Sequence, residues 1–427
     1  MDTSRRTFLK GTAAASATIS ILKPETVFGS AANSAIRLGI IGCGGRGTAV
    51  ATSMMNHTDL RLIAIAELFE DKLAKGKEHF NKLSSEKGYS ALNNSNLYLG
   101  SEAYKRLLDN KDIDAVLVST PGFLHPLHLE AAVEAGKHVY CEKPVAVDTA
   151  GIKQIQRTGK LAEGKTTLAV GFQIRSATPY VEMVKRIQRG DIGDVVNIQA
   201  YYFAGSIPYL KWRTDISYDE ARLRTWYWFR SLSGGILVDQ GIHIIDVCNW
   251  ALKAHPLRAT GTGGRQGRND MGDVWSHFQI LFAYPNSVHM CFESTQYDPG
   301  YGDVCVRFFG TKGIAEAHYT GGVYIKGENE WDSGVARGSA ETISKEQWAL
   351  GTFKSSLDDA DANKEKEFVS SIKTGNLLNE ANAGAESALS AILGRTAAYG
   401  EHEVTWDEIA SSFDKADPQM DLTQFDR

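Results

Sequence analysis

Cysteine is scarce in this chain of 427 residues, which has five. Cys43, Cys141, Cys248, Cys291 and Cys305 are odd in number and far apart, and most of them lie inside apolar runs. Proteins held together by disulfides have dense, even sets of cysteines. The pattern therefore argues against a disulfide scaffold and predicts buried free thiols.

Concentrated charge of one sign is also absent. The 46 basic and 51 acidic residues give a net charge of −5, and no block of lysines and arginines stands out. Nucleic-acid footprints and polybasic membrane patches need such a block, so neither partner is expected. Repeats and low-complexity stretches are missing as well, and 43% apolar side chains at this length are enough for two globular domains.

Residues 1–32 have the pattern of an export signal. Ser4-Arg5-Arg6-Thr7-Phe8-Leu9-Lys10 precedes a mildly apolar run, Gly11–Leu22, that is too short to span a membrane. We interpret the segment as a twin-arginine signal, with an incidental basic tail or an uncleaved anchor as the alternatives. The prediction is a periplasmic or extracytoplasmic protein with no stable membrane insertion after processing.

Residues 36–165 alternate short apolar runs with helix-like stretches, which is typical of a parallel sheet covered on both faces. The pattern predicts strands at Ile36–Ile41, Leu60–Ala66, Ala115–Ser119 and His138–Cys141, and a helix from His128 to Ala135 that ends at Gly136. We expect an α/β, doubly wound Rossmann domain.

Residues 166–427 contain longer runs in which apolar and polar residues alternate, as in an antiparallel sheet with one covered face. We expect an α+β domain with a mainly antiparallel, open-faced sheet, and two late helices that pack against the first domain or its interface. The predicted strands lie near residues 195–203, 278–282, 288–293, 304–309 and 322–325, and the helices near residues 364–374 and 383–399.

Gly42-Cys43-Gly44-Gly45-Arg46-Gly47 has the spacing G-x-G-x-x-G between the first strand and a helical stretch at Thr48–Met55. Gly42, Gly44 and Gly47 allow the backbone N–H groups to approach a pyrophosphate at a helix N-terminus, and Gly45 and Arg46 lie in the same turn.

Glu67 ends the second strand, where an acid accepts hydrogen bonds from the adenosine ribose. Its charge opposes a 2′-phosphate, and Leu68 and Phe69 offer no cation. We therefore predict NAD as the cofactor, with NADP as the alternative because Arg46 is able to reach that region.

Two further segments, Val116–Pro121 with His125 and Ala135–Pro144 with its Glu-Lys-Pro element, resemble the Gfo/Idh/MocA family. The resemblance extends from about Ile36 to about Glu408. It implies a Rossmann domain joined to an open-faced sheet, whose exposed face in relatives forms a dimer or tetramer contact. We therefore expect a homodimer or a homotetramer.

The resemblance also implies roles for single residues. Lys143 is expected to contact both the cofactor and the substrate hydroxyl, where it would share or relay a proton; a solvated loop lysine is the alternative. The expected cofactor contacts are Ser119, Thr120, Pro121, His125 and Glu142.

Gly234–His243 contains Asp239 and His243 four residues apart, ahead of an apolar helix at Ile244–Leu252. In the family this D-x-x-x-H pattern carries the catalytic histidine and a companion acid. His243 would be the general base, and Asp239 would position the sugar. Taken alone, such a histidine is more often structural, and no third ligand spacing proposes a metal. Asp246 either orients His243 or stabilises the helix dipole.

Candidate substrate contacts lie outside these motifs. Gln173 and Arg175 belong to Gly171–Arg175, which resembles the family strand that leaves the Rossmann domain. Trp212 and Arg213 belong to a segment that also holds Trp226, Tyr227 and Trp228. Aromatic faces stack on sugar rings and arginine donates to hydroxyls, although packing of an interface or a core explains the segment equally well.

The leading hypothesis is an NAD-dependent oxidoreductase that moves a hydride between a ring hydroxyl carbon of a sugar, glycoside or cyclic polyol and a tightly bound cofactor. An alternative is an NAD-dependent glycosidase or lyase that oxidises the sugar transiently; the Asp239 and His243 pattern favours the dehydrogenase. A non-catalytic sugar or NAD sensor is disfavoured because Lys143 and His243 are both present.

Overall fold

The structure is a computed structural model that describes residues 35–205, 215–297, 302–336 and 356–426. The predicted signal at residues 1–32 and the candidate contacts Trp212 and Arg213 lie outside these residues. Among the residues described, no helix has the length and apolar character needed to cross a membrane.

Short, apolar, β-branched runs form a six-stranded parallel sheet in the order β3-β2-β1-β4-β5-β6. Its strands are β1 Arg37–Ile41, β2 Arg61–Glu67, β3 Leu97–Leu99, β4 Ala115–Val118, β5 His138–Cys141 and β6 Leu168–Val170. The helices between them are α1 Gly45–His57, α2 Glu70–Glu86, α3 Ala103–Leu108, α4 His125–Glu134 and α5 Thr149–Ala162. This order is that of a Rossmann fold, as predicted, and the sheet continues past residue 165, where the sequence placed its end.

The second sheet has nine strands in the order β14-β13-β12-β11-β7-β10-β9-β8-β15, and only the β10–β7 pair is parallel among those described. Its strands are β7 Val195–Ala204, β8 Arg258–Gly264, β9 His277–Ala283, β10 His289–Gln296, β11 Asp303–Gly310, β12 Gly313–His318, β13 Val323–Gly327, β14 Trp331–Asp332 and β15 Val404–Thr405. The prediction of a mainly antiparallel sheet is confirmed.

Seven further helices accompany the second sheet in the described ranges: α6 Thr178–Gln188, α7 Tyr218–Arg224, α8 Arg230–Ser233, α9 Ile242–Leu252, α10 Ala360–Thr374, α11 Ala381–Gly400 and α12 Trp406–Ser411. The late helices α10 and α11 pack on α1 and α5 respectively, as predicted. Gln173–Ser176 is a 3₁₀ turn after β6, so the expected strand at Gly171–Arg175 is wrong; the chain bends there to enter α6.

One face of the second sheet is covered and the other is open. In β9, Phe278, Ile280 and Phe282 are buried, whereas Gln279 and Leu281 between them are exposed. Burying such a side chain stabilises the fold by about 1.5–3 kcal/mol, which fixes the register of the strand. Four of the five free cysteines are buried as predicted, but Cys291 is exposed on the open face of β10, because it alternates with the buried residues of that strand.

A network of charged residues crosses the open face on β11, β12 and β13. His318 contacts Asp303 through Nδ1 (3.1 Å) and Glu316 through Nε2 (2.8 Å), and Tyr324 donates to Glu316 at 2.6 Å. Cys305 lies within 4.8 Å of the Glu316 and His318 ligand atoms. Burial alone would lower the pKa of His318, but its hydrogen bonds to Asp303, Cys305 and Glu316 raise it to about 12. The network is therefore held by a protonated imidazole.

We expect the replacement His318→Gln to cost more stability in acid than in base. The folded pKa lies above the unfolded value, so the stabilisation is complete below about pH 6.5 and declines as the pH rises toward about 12. Urea unfolding should show a cost about 1–3 kcal/mol larger at about pH 6 than at about pH 9. The control is His289→Gln, an exposed histidine on the same face. An equal cost at both pH values would contradict the charged network.

Candidate active site

The strand order of the parallel sheet reverses between β1 and β4, and ligands of such sheets bind outside the carboxyl ends of the strands at this point. A cleft lies there. Six of the predicted residues line it: Gly42, Gly44, Glu67, Ser119, Thr120 and Pro121. Gly45, Arg46, Gly47, His125, Glu142 and Lys143 are not part of its lining.

The glycine-rich turn leaves no space for side chains at two of its positions. Gly42 has φ +89°, and a Cβ there would lie 2.9 Å from the Ser119 carbonyl oxygen. A Cβ on Gly47 would lie 2.3 Å from the Gly42 carbonyl oxygen. Gly44, at the N-cap of α1, faces open space within 4 Å. The backbone at Gly44 is therefore accessible to an anion at the N-terminus of α1.

Glu67 is held at the end of β2 by backbone N–H groups. Its carboxylate accepts from Cys43 (3.0 Å), Leu68 (2.8 Å) and Phe69 (3.2 Å). Lys72, which sequence reasoning missed, lines the same cleft one turn further on. A cation is thus present near the acid, although Leu68 and Phe69 offer none.

His125 contacts the backbone of two loops next to the cleft. Its ring contacts the Thr120 carbonyl oxygen through Nε2 (2.6 Å) and the Pro144 carbonyl oxygen through Nδ1 (2.7 Å). Burial lowers the pKa of His125, although both carbonyl groups favour the protonated ring. His125 therefore connects the loop after β4 with the loop that carries Lys143.

Arg46 turns away from the cleft and joins an ionic network. Its guanidinium donates two hydrogen bonds to Asp361 of α10 (2.9 and 3.2 Å), one to Glu142 (3.1 Å) and one to Gln173 (3.0 Å). Burial works against the charge of Arg46, but Asp361 and Glu142 outweigh it and raise the pKa of Arg46 well above its usual value. The structure thus brings together three predicted residues, Arg46, Glu142 and Gln173. Asp361 also belongs to this network, but no local sequence motif indicates it.

Lys143 contacts Asp239. Lys143 Nζ donates to the Asp239 backbone oxygen and lies 3.6 Å from its carboxylate. Asp239 lies in a π-helical turn, Leu237–Gly241, that leads directly into α9. This turn starts the helical path early enough to bring Asp239 and His243 to the same end of α9.

His243 is buried and neutral. Burial, and then the charges of Lys143 and Arg46, lower its pKa well below the usual value. Its ring lies 6.4 Å from Tyr202 and 6.5 Å from Tyr319. Nδ1 has no hydrogen-bond partner within the described ranges. A neutral imidazole has one unprotonated ring nitrogen and can therefore accept a proton.

Arg175 forms an ion pair with Asp246. Two hydrogen bonds of 2.8 Å join them, and Ser387 donates to Asp246 at 2.7 Å. Asp246 therefore fixes Arg175 and α11 to α9 and does not touch the His243 ring through a hydrogen bond. The sugar-binding role of Arg175 stays a prediction, as do those of Trp212 and Arg213.

Trp226 lines the cleft, whereas Trp228 packs with Phe229 and Leu232 beneath the Arg268 guanidinium at 4.0 Å. The aromatic segment thus divides into a residue of the cleft and a small core. Leu422, far along the chain, also lines the cleft. No spacing signal connects it with the glycine-rich turn, so a single sequence could not reveal it.

Comparisons with family models agree with this geometry. Residues 36–172 match the model described as "Oxidoreductase family, NAD-binding Rossmann fold", and residues 180–316 match "GFO/IDH/MocA C-terminal domain". Residues 2–21 match the twin-arginine translocation signal sequence. The two domain models together match most of the chain.

Individual relatives carry related names. An inositol 2-dehydrogenase from Rhizobium meliloti is 27% identical over 289 residues, which are 66% of this chain and 75% of that protein. The crystal structure of scyllo-inositol dehydrogenase from Lactobacillus casei with bound NAD(H) and scyllo-inositol has a TM-score of 0.64 and 20% identity, and covers 87% of this chain and 99% of that chain.

A further neighbour is an aldose-aldose oxidoreductase from Caulobacter crescentus complexed with glycerol. It has a TM-score of 0.65 and 21% identity, and covers 87% of this chain and 99% of that chain. At these identities, the solved structures show a shared fold.

Two alanine substitutions should separate the roles of the glycines. Gly44→Ala places a methyl group in open space, so the protein should fold normally while affinity for NADH falls about tenfold or more. Gly47→Ala forces a clash with Gly42, so it should destabilise the protein by about 1–3 kcal/mol. Thermal unfolding and NADH titration measure the two effects. If Gly44→Ala bound NADH like the parent protein, the anion would not approach this turn.

Proposed function

The chain belongs to the Gfo/Idh/MocA family of oxidoreductases, and from that premise we propose that it moves a hydride between a ring hydroxyl carbon of a sugar, glycoside or cyclic polyol and NAD. The observation that carries the proposal is the meeting of Lys143 and Asp239 close to a buried, neutral His243. The names of the inositol and aldose relatives support the substrate class.

The residues present fit a dinucleotide. The open backbone at Gly44 would take the pyrophosphate, and Glu67 would accept from the adenosine ribose. Oε1 of Glu67 already accepts from two backbone N–H groups, whereas Oε2 accepts from one backbone N–H and makes a weak contact of 3.5 Å with the Cys43 thiol, so Oε2 is the oxygen that would receive the ribose hydroxyl. The Glu67 charge supports NAD over NADP, while Lys72 in the same cleft works in the opposite direction.

The nicotinamide ring, when bound, supplies the hydride acceptor or donor. His243 would take the proton of the substrate hydroxyl, because burial and nearby cations keep its imidazole neutral. Lys143 would donate a hydrogen bond to the reacting oxygen. Asp239 holds that lysine in place and would accept from a neighbouring hydroxyl. Gln173, Arg175, Trp212 and Arg213 remain the proposed contacts for the rest of the sugar.

The export signal supports a periplasmic enzyme that keeps its cofactor. Twin-arginine export carries folded proteins, and free NAD is scarce outside the cytoplasm. We therefore propose a ping-pong cycle in which one sugar reduces the bound cofactor and a second substrate reoxidises it.

The open face of the second sheet would hold a second copy of the chain. The molar mass of the protein in solution tests this proposal.

Replacing His243 or Lys143 should remove chemistry. For His243→Asn and Lys143→Met, we expect kcat with a responsive sugar to fall by about 100- to 10,000-fold. The NADH dissociation constant should stay unchanged in His243→Asn, whereas Lys143→Met should also weaken NADH binding, because Lys143 is proposed to contact the cofactor. The control is His255→Asn, because His255 stacks on Trp406 at 3.7 Å and is no part of the cleft.

The pH dependence adds a second check. Because the pKa of His243 is lowered, His243 stays neutral at pH values at which an ordinary histidine is protonated. We therefore expect kcat/KM for oxidation to stay constant as the pH falls through that range. A His243→Asn enzyme with the parent kcat would refute the assignment of the base.

A further inference from the structure

The C-terminal segment after α12 crosses the edge of the cofactor cleft. Asp421 caps a 3₁₀ turn, Leu422–Phe425, by accepting from the backbone N–H (2.9 Å) and the hydroxyl (2.7 Å) of Thr423. Leu422 lines the cleft together with Glu67 and Ser101. The capped turn therefore places the apolar side chain of Leu422 in the cleft that Glu67, the proposed ribose contact, also lines.

Asp426 fastens this turn to the loop after β3. It accepts from the Ser101 backbone N–H (2.6 Å) and from the Ser101 hydroxyl (2.7 Å). Gly100, with φ +107°, lets the loop approach, because a Cβ there would lie 2.6 Å from the Asp426 carboxylate. The attachment is therefore specific in geometry.

Phe69, two residues after Glu67, joins the turn from the other side. The Phe425 ring meets the Phe69 ring edge-on at 5.6 Å, and the Arg224 guanidinium lies 4.2 Å from the same ring. Arg224 is itself fixed by Asp71 at 2.9 Å. Three distant parts of the chain thus form one wall at the end of the cleft that Glu67 marks.

Two contacts hold the segment against α7. Arg222 donates to the Pro418 carbonyl oxygen at 2.8 Å, and Gln424 donates to Asp219 at 3.2 Å. The hydrogen bonds of Asp426 to Ser101 and of Gln424 to Asp219 are exposed, whereas the bond from Arg222 to Pro418 and the side chains of Leu422 and Phe425 are partly buried. Exposed hydrogen bonds open more easily than a packed core, so the segment can separate from the cleft without unfolding the sheet.

We propose that Leu422–Asp426 forms the outer wall of the adenosine site and that its separation controls release of the cofactor. The inference rests on the proposed function, since it requires a nicotinamide dinucleotide in this cleft. The ligand moiety that the wall contacts is the adenosine half: Glu67 would hold the ribose, and the purine would pack against Phe69 and Leu422. Cofactor retention then depends on the C-terminal segment as well as on the glycine-rich turn.

The test uses Phe425→Ala in the full mature chain, with Phe413→Ala as the matched control. Phe413 belongs to the same segment but is 67% exposed and is no part of the cleft. Stopped-flow fluorescence should show NADH leaving Phe425→Ala about tenfold faster, with Phe413→Ala like the parent. Asp426→Asn, which removes the charge at the Ser101 anchor, should act in the same direction and guards against a folding defect in the first variant.

Fragments of the cofactor distinguish a local contact from a general loosening. Phe425→Ala should lose affinity for ADP-ribose and keep its affinity for reduced nicotinamide mononucleotide. Equal losses for both fragments, or a parental NADH release rate in both Phe425→Ala and Asp426→Asn, would overturn the wall while leaving the proposed function intact. A parent protein that binds no NADH would overturn both.

Discussion

The Arg46 guanidinium joins four separate parts of the molecule. It begins in the glycine-rich turn and pairs with Glu142 beside Lys143, with Gln173 in the turn that leads to the second sheet, and with Asp361 on α10. A partly buried cation of this kind needs its acidic partners, because loss of one leaves an uncompensated charge. The turn, the lysine loop and the late helix therefore keep a common position.

This constraint contributes to the electrostatics of the neighbouring site. Burial is the main cause that keeps His243 neutral, and the charges of Lys143 and Arg46 act in the same direction. Burial also raises the pKa of Glu142, and Arg46 opposes that rise. A neutral base beside a lysine held by Asp239 is an arrangement suited to removing a proton from a hydroxyl group. Arg46, which holds the glycine-rich turn, thus also contributes to the neutral state of His243, the proposed proton acceptor.

Local patterns in the sequence predicted that there are two sheets, several of their strands and the glycine-rich turn between β1 and α1. Strands β1 to β5 other than β3 carry apolar runs that predict them, and Gly42, Gly44 and Gly47 identify the turn by spacing. The partners of these residues could not be predicted in the same way. Asp361 lies 315 positions from Arg46, and Leu422 approaches Glu67 only in the folded chain.

Arg175 is a second residue whose partner could not be predicted from the sequence. Its sequence context indicated a substrate contact on a strand, but the chain bends into a 3₁₀ turn at Gln173–Ser176, and Arg175 pairs with Asp246 71 positions away. Residue type predicts which chemistry a side chain can perform, whereas tertiary packing decides which partner uses it.

The most direct test of the account is to purify the exported chain without added cofactor, identify the bound ligand by mass spectrometry, and add sugars, glycosides and inositols one at a time while recording the absorbance of reduced nicotinamide. The account predicts bound NAD that one class of these compounds reduces, and a second addition of an acceptor sugar that reoxidises it. Release of an aglycone without net reduction, or a protein that holds no nucleotide and reduces none when NAD is supplied, would contradict it.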